Sequence, residues 1–251
     1  MRQKAHSSGP RQGRPRYIFV KVYHEDHDLI VVEKPAGLHS VKPPSGKAET
    51  IVDRVYTYLR RRFAKGGGSF VKPLHRLDVD TSGVMVLAKS RAGEQLEDQF
   101  RRHTITRRYL AVVSGAVVKD EGTINQPLEK GGFGHGRKVK IAETPGGLEA
   151  ITHYRVKERY RDATLLDVEV KTGRTHQIRV HLASIGHPIL GDKLYGKAVG
   201  AVSEPPSPQL RRHALHASFL KFRHPVSGKK LEFNSSLPDD LAALVDRLRG
   251  V

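Results

Sequence analysis

Apolar residues along this chain fall into short runs with two periodicities, and together they predict interleaved strands and helices. Tyr17 to Tyr23 alternates with the two-residue period of a half-buried strand. Asp28-Leu29-Ile30-Val31-Val32-Glu33 is a second strand, which Lys34-Pro35-Ala36-Gly37 stops and turns. From Thr50 the period becomes helical: Ile51, Val55, Tyr58, Leu59 and Phe63 share a face, Asp53 stands at the capping-box position, and Gly66-Gly67-Gly68 closes the helix. The run Val84 to Lys89 predicts a strand, and a helix starting near Ser90 turns Ala92, Leu96 and Phe100 inward. Thr106 to Gly115 is strand-like, and Ala150 to Tyr160 pairs with Ala163 to Lys171 around Arg161-Asp162. Ile178, Leu182 and Ile185 then share a helical face capped by Gly186, with Arg179 on an adjacent face. A strand from Arg212 to Phe222, a short strand at 231 to 234 and a helix from Pro238 to Arg249 end the chain. That last helix has Asp239 and Asp240 in its first turn and Leu241, Leu244, Val245 and Leu248 inward. The pattern is α/β or α+β, without a topology.

Length allows one substantial core or two small ones; a single domain over 17–251, preceded by an arm at 1–16, is the simpler reading of 251 residues. The arm carries Arg2, Lys4, Arg11, Arg14 and Arg16 with no acid and several Gly, Pro and Ser, the composition of a disordered basic segment that makes sequence-blind phosphate contacts. Its glycines and prolines argue against an amphipathic targeting helix. Apolar runs reach about five residues against the roughly 20 a membrane span requires, so a soluble protein with no membrane partner is expected. The absence of cysteine rules out disulfide and thiolate chemistry and suits a cytoplasmic location. Charge adds a partner: 44 Lys and Arg against 26 Asp and Glu leave +18, a field that attracts polyanions, above all nucleic acid. Arg54, Arg60, Arg61 and Arg62 on the first helix are either a solvated face or part of that contact.

The chemistry concentrates in two stretches. His75-Arg76-Leu77-Asp78-Val79-Asp80-Thr81-Ser82-Gly83 places an acid two residues from an arginine, directly before a strand that can hold it rigidly. Alone, Arg76 and Asp78 could be a loop ion pair worth about 0 to 1 kcal/mol, and Thr81-Ser82-Gly83 a turn. The second stretch runs from Thr172 to Gly196 and contains Thr175-His176-Gln177-Ile178-Arg179. Its histidines do not suggest a metal site, because His176 and His181 are five apart and miss the i, i+4 spacing that would face one ion. The glycine-rich basic loop Lys130 to Lys138 matches neither phosphate-binding glycine pattern, so no nucleotide cofactor is expected; it is a substrate-facing loop or a surface hairpin.

In order, Glu25 to Gly37, His75-Arg76-Leu77-Asp78 with Thr81-Ser82-Gly83, Arg107 to Val113, Thr172 to Gly196 and Leu215-His216-Ala217 resemble the motifs of the RluA-type pseudouridine synthase family, over about residues 23 to 234. The resemblance implies a mixed, mostly antiparallel sheet with flanking helices and a central cleft. It implies the isomerisation of uridine in structured RNA, ribosomal (large subunit), transfer or both, by a reaction that consumes nothing and fits a sequence with no cofactor motif; a monomer is the default expectation. It makes Asp78 the catalytic aspartate, Tyr109 an active-site aromatic and Arg179 the partner of the aspartate, with Leu215 packed near the target base. Asp80 falls where the signature is open and is read as a solvated turn residue.

These roles answer physical needs. A desolvated carboxylate needs a cation beside it, which Arg179 supplies. Tyr109 can stack on detached uracil and reach a proton. A stacked uridine must be everted, at a cost of a few kcal/mol, and Arg76 can fill the vacated space or hold a phosphate. The carboxylate either adds to the sugar, as in retaining glycosidases, or abstracts a proton on a glycal route. A noncatalytic RNA-binding or ribosome-assembly protein would share the charge and the arm, without needing Asp78, Tyr109 and Arg179 together. A hydrolase built on His75 and Asp78 lacks a nucleophile elbow.

Overall fold

The computed structural model describes residues 20–62, 70–131, 138–196 and 210–250. The basic arm, the end of the first helix with its glycines, most of the glycine-rich loop and residues 197–209 lie outside these residues. In chain order the elements are β1 (Val22–Glu25), β2 (Leu29–Lys34), α1 (Ile51–Arg62), β3 (Lys72–Pro73), β4 (Ser82–Ala88), α2 (Arg91–Glu94), α3 (Leu96–Arg101) and β5 (Thr106–Ser114). There follow β6 (Glu121–Asn125), β7 (Leu128–Lys130), β8 (Val139–Ile141), β9 (Ile151–Arg159), β10 (Ala163–Val170), α4 (Gln177–Ser184), β11 (Leu215–Arg223), β12 (Lys230–Asn234) and α5 (Asp239–Arg249).

Among the described residues ten strands form one sheet, in the order β1-β2-β4-β11-β5-β10-β9-β6, with β3 on β4 and β12 on β11. Its pairings are antiparallel except that between β4 and β11, which are parallel. They meet through two residue pairs, His216 with Ser82 and Ala217 with Gly83. Beyond them each strand takes a different neighbour: β3 joins β4 at Leu87 and Ala88, and β12 joins β11 from Phe219 to Arg223. The sheet therefore parts at its centre and leaves a cleft. Gly83 makes the seam possible, since at φ +125 it comes so close to β11 that a Cβ would stand 2.2 Å from the Ala217 carbonyl oxygen.

The continuous apolar runs behave as such runs should when covered on both faces. Ile30, Val32, Met85 and Leu87 pack under Ile51, Val55 and Leu59 of α1. Leu29, Val31, Val84 and Val86 face Leu96, Ile105, Leu220 and Phe222. On the other side of the seam, β5 and β10 share a core with Ile178 and Leu182 of α4 and Leu241, Leu244 and Val245 of α5. The capping box of α1 is formed: Asp53 N donates to Thr50 Oγ1 at 3.1 Å and Thr50 N to Asp53 Oδ2 at 3.0 Å.

Four expectations shift. The first strand is Val22–Glu25, later than its alternation suggests. The helix expected from Ser90 is two short ones separated at Gln95, because the first turn is drawn against Asp28, just before β2, where a Cβ on Gly93 would lie 2.2 Å from the Asp28 carbonyl oxygen. Ile185 is exposed rather than inward, since α4 ends at Ser184 and Gly186 turns the chain away at φ +84. The strand expected from Arg212 starts at Leu215, because the Arg212 and His213 side chains turn to the Asp78 loop and α5 while Ala214 bonds Val112 and Leu190.

Candidate active site

Each candidate side chain reaches the cleft from its own element. Asp78 sits on the loop between β3 and β4, Tyr109 on β5, Arg179 in α4 and Leu215 at the first residue of β11. All four, with Arg76, line one cavity of about 450 Å³ at the seam, a size that accepts a nucleotide. Arg76 is exposed at its edge, where Arg101, Arg107 and Arg174 add positive charge.

The backbone of the Asp78 loop is held at almost every residue. Ser40 donates its hydroxyl to Leu77 O at 2.7 Å and accepts Leu77 N–H at 3.0 Å. Lys34, completely enclosed, donates its ammonium to the carbonyls of Pro35, Leu38 and Val79 at 2.8 to 2.9 Å. Gly37, in the left-handed conformation at φ +77, adds its N–H to Val79 O at 2.9 Å. Across the seam Arg212 reaches Asp80 O at 3.1 Å while Asp240 holds it at 2.7 and 2.9 Å. His213 Nε2 meets Thr81 Oγ1 at 2.8 Å, and His216 Nδ1 meets Ser82 Oγ at 2.9 Å. Asp80 itself projects outward, as a turn residue should. Lys34, Ser40, Arg212, His213 and His216 form a support that the sequence pattern does not reveal. Lys34-Pro35-Ala36-Gly37 signals a strand end, and nothing in the spacing says that its ammonium is buried.

Electrostatics fix the carboxylate's partners. Arg179 Nη1 donates to Asp78 Oδ2 at 3.1 Å, and its Nε and Nη2 donate to Asp192 at 2.7 and 2.9 Å. Asp192 also accepts the N–H groups of Leu194 and Tyr195 at 2.9 and 3.1 Å. Burial alone would raise its carboxyl, but the Arg179 hydrogen bond and charge outweigh burial and hold it below the usual range. Burial works against the Arg179 cation too, and Asp192 and then Asp78 more than restore it. Tyr195 stacks under Arg179, its ring centroid 5.2 Å from the guanidinium carbon. Burial raises the Tyr109 phenol, which stays protonated and able to donate.

The histidines of the second stretch serve separate neighbours. His181 lies between Thr152 Oγ1 at 2.8 Å and Gln126 O at 2.9 Å. His176 Nδ1 meets Tyr195 OH at 3.0 Å, and its Nε2 faces Asp78 Oδ1 across 4.0 Å.

Comparison with known proteins agrees with this geometry. Residues 28–184 match the family model described as RNA pseudouridylate synthase. The chain is 38% identical over 245 residues to the ribosomal large subunit pseudouridine synthase D of Zymomonas mobilis, covering 95% of this chain and 76% of that protein. Its counterpart of the same name in Xanthomonas campestris is 40% identical over 243 residues, covering 94% and 71%. Among solved structures, human RNA pseudouridylate synthase domain containing 4 superposes with a TM-score of 0.74 at 25% identity, covering 91% of this chain and 93% of that one. A carboxylate paired with a buried arginine beside a protonated tyrosine, on a sheet of this topology and with relatives of this similarity, identifies the chain as a member of the RNA pseudouridylate synthase family, an RNA-modifying isomerase.

Proposed function

We propose that this enzyme isomerises uridines in large-subunit ribosomal RNA, with Asp78 as its catalytic carboxylate. The observation that carries the assignment is the array Asp192–Arg179–Asp78, which delivers one oriented, charge-compensated carboxylate to a cavity of nucleotide size. The target class is supported by the names of the Zymomonas and Xanthomonas relatives. Transfer RNA loops present the same chemistry and are the second substrate to test.

In the reaction the N1–C1′ bond breaks, uracil turns within the cavity, and a C5–C1′ bond forms. C5 then loses a proton and N1 gains one, so nothing is consumed. Arg179 compensates the charge of Asp78 and sets its direction. Tyr109, protonated and beside Asp78, stacks on the freed base and handles a proton at its hydroxyl. Leu215 forms an apolar wall of the base pocket. Arg76 and the basic rim hold the backbone around the everted nucleotide.

The test is to map pseudouridines in ribosomal and transfer RNA from cells carrying the wild-type gene, Asp78→Asn or a deletion. Loss of the same large-subunit sites in both altered strains, with purified Asp78→Asn still binding RNA, is the expected result. Normal modification by Asp78→Asn would refute the catalytic assignment. Losses confined to transfer RNA would refute the target.

A further inference from the structure

Asp78 has two carboxylate oxygens, and Arg179 takes one. Oδ1 is left facing His176 Nε2 at 4.0 Å, too far for a direct hydrogen bond. His176 is held there in an uncommon way. With φ 55 and ψ 16 it is left-handed, directly before α4, and its side chain caps nothing. A non-glycine residue in that region is strained and persists where the surroundings impose it, often at functional sites.

The surroundings also set its tautomer. Tyr195 OH accepts the Val139 N–H at 3.1 Å, and His176 Nδ1, at 3.0 Å, is the acceptor that lies within reach of the Tyr195 proton. Nδ1 accordingly accepts, and the proton of the neutral ring sits on Nε2, aimed at Asp78. The charged groups around the ring are Asp78, Arg179, Asp192 and Arg76, and burial is the largest influence on it, favouring the neutral form.

An N–H donor and a carboxylate acceptor thus oppose each other across a gap on the cavity wall. An atom bound to both must accept from one and donate to the other. A hydroxyl does this with a single oxygen, whereas a uracil carbonyl can only accept and its imino N–H can only donate. Hydrogen bonds of about 2.8 Å to each side would meet at roughly a right angle, which a hydroxyl oxygen tolerates. In a nucleotide presenting C1′ to Asp78, the hydroxyl on the neighbouring carbon is the 2′-OH. We propose that His176 Nε2 and Asp78 Oδ1 together seat the ribose 2′-hydroxyl of the everted uridine, which makes His176 a determinant of selectivity for RNA over DNA at the target nucleotide. This rests on the assignment of the cavity as the uridine site.

The experiment uses the full chain and two RNA oligonucleotides carrying the mapped target sequence, one all-ribose and one with 2′-deoxyuridine at the target. The inhibition constant of the deoxy form is compared with the KM of the ribose form for wild type, His176→Leu, His176→Gln and Tyr195→Phe. Wild type should favour ribose by on the order of tenfold. His176→Leu should lose most of that preference, His176→Gln should recover part of it, and Tyr195→Phe should weaken it by releasing the tautomer. Equal preference in wild type and His176→Leu, or no preference in wild type, overturns the proposal. If His176→Leu fails to fold, unchanged preference in both other variants overturns it. Failure of wild type to convert the all-ribose substrate would instead overturn the site assignment beneath it.

Discussion

Asp192 grips the guanidinium of Arg179 with both carboxylate oxygens, at 2.7 and 2.9 Å, and leaves the remaining nitrogen to reach Asp78 at 3.1 Å. Asp192 has no solvent-exposed side-chain surface and does not line the cavity, so its link to Asp78 runs through the arginine. Asp192→Asn keeps the shape but removes the opposing charge and one acceptor. Its kcat should fall by about a hundredfold, the scale of a small misplacement at a reaction centre, with RNA affinity within a factor of about two. An unchanged kcat would show that Arg179 needs no such backing.

Gly83→Ala should damage the seam. The added Cβ meets the Ala217 carbonyl oxygen at 2.2 Å and forces an L side chain to φ +125. Denaturant unfolding should show a loss of roughly 3 kcal/mol or more, since overpacking and an unfavourable backbone conformation each cost about 1 to 3. A loss below about 1 kcal/mol would mean that the strands separate there without penalty.

Acid should destabilise the protein through histidines that burial keeps neutral. Burial lowers His213 to about 4 and His75 to about 3, and lowers His176, His181 and His216 as well. Below the ordinary histidine value near 6.5 the unfolded chain takes up protons that the folded one refuses. The stability associated with neutral His213 is therefore complete above about pH 6.5 and lost as pH falls toward about 4. The melting temperature should drop across that window, and His213→Asn should flatten part of the drop. Parallel curves for the two proteins would contradict this.

Deleting residues 1–16 should make RNA binding less sensitive to salt, because every phosphate the arm no longer neutralises reduces the slope by about 0.7 to 0.9. The measurement is Kd against potassium chloride concentration for the full and shortened chains. Identical slopes would exclude the arm from phosphate binding.

The sequence is most legible where a local rule and a chemical need coincide. Thr50 and Asp53 announce the start of α1 because capping is local. Asp78, Tyr109 and Arg179 stand out because their motifs come in order, and they do converge on one cavity. Asp192 lies within the same motif as Arg179, but a loop separates the two and no periodicity links them, so the pattern gives it no part. Lys34, Arg212 and His213 are invisible for a related reason: each contacts the Asp78 loop across a large sequence separation, and only the folded sheet brings them there. Periodicity from Ser90 predicts one helix where there are two, because the approach of Gly93 to Asp28 is a tertiary event that outweighs it.

Because β4 and β11 share just two residue pairs, the sheet is two plates joined along a short edge. Asp78 rides with one plate, and Tyr109 and Arg179 with the other. The distance from the Asp78 carboxylate to Tyr109 and Arg179 is thus a dihedral quantity, set by the angle at which the plates meet. The side-chain ties from Arg212, His213 and His216 work as braces on that angle, so a change at any of them should register as altered alignment inside a cavity it need not touch.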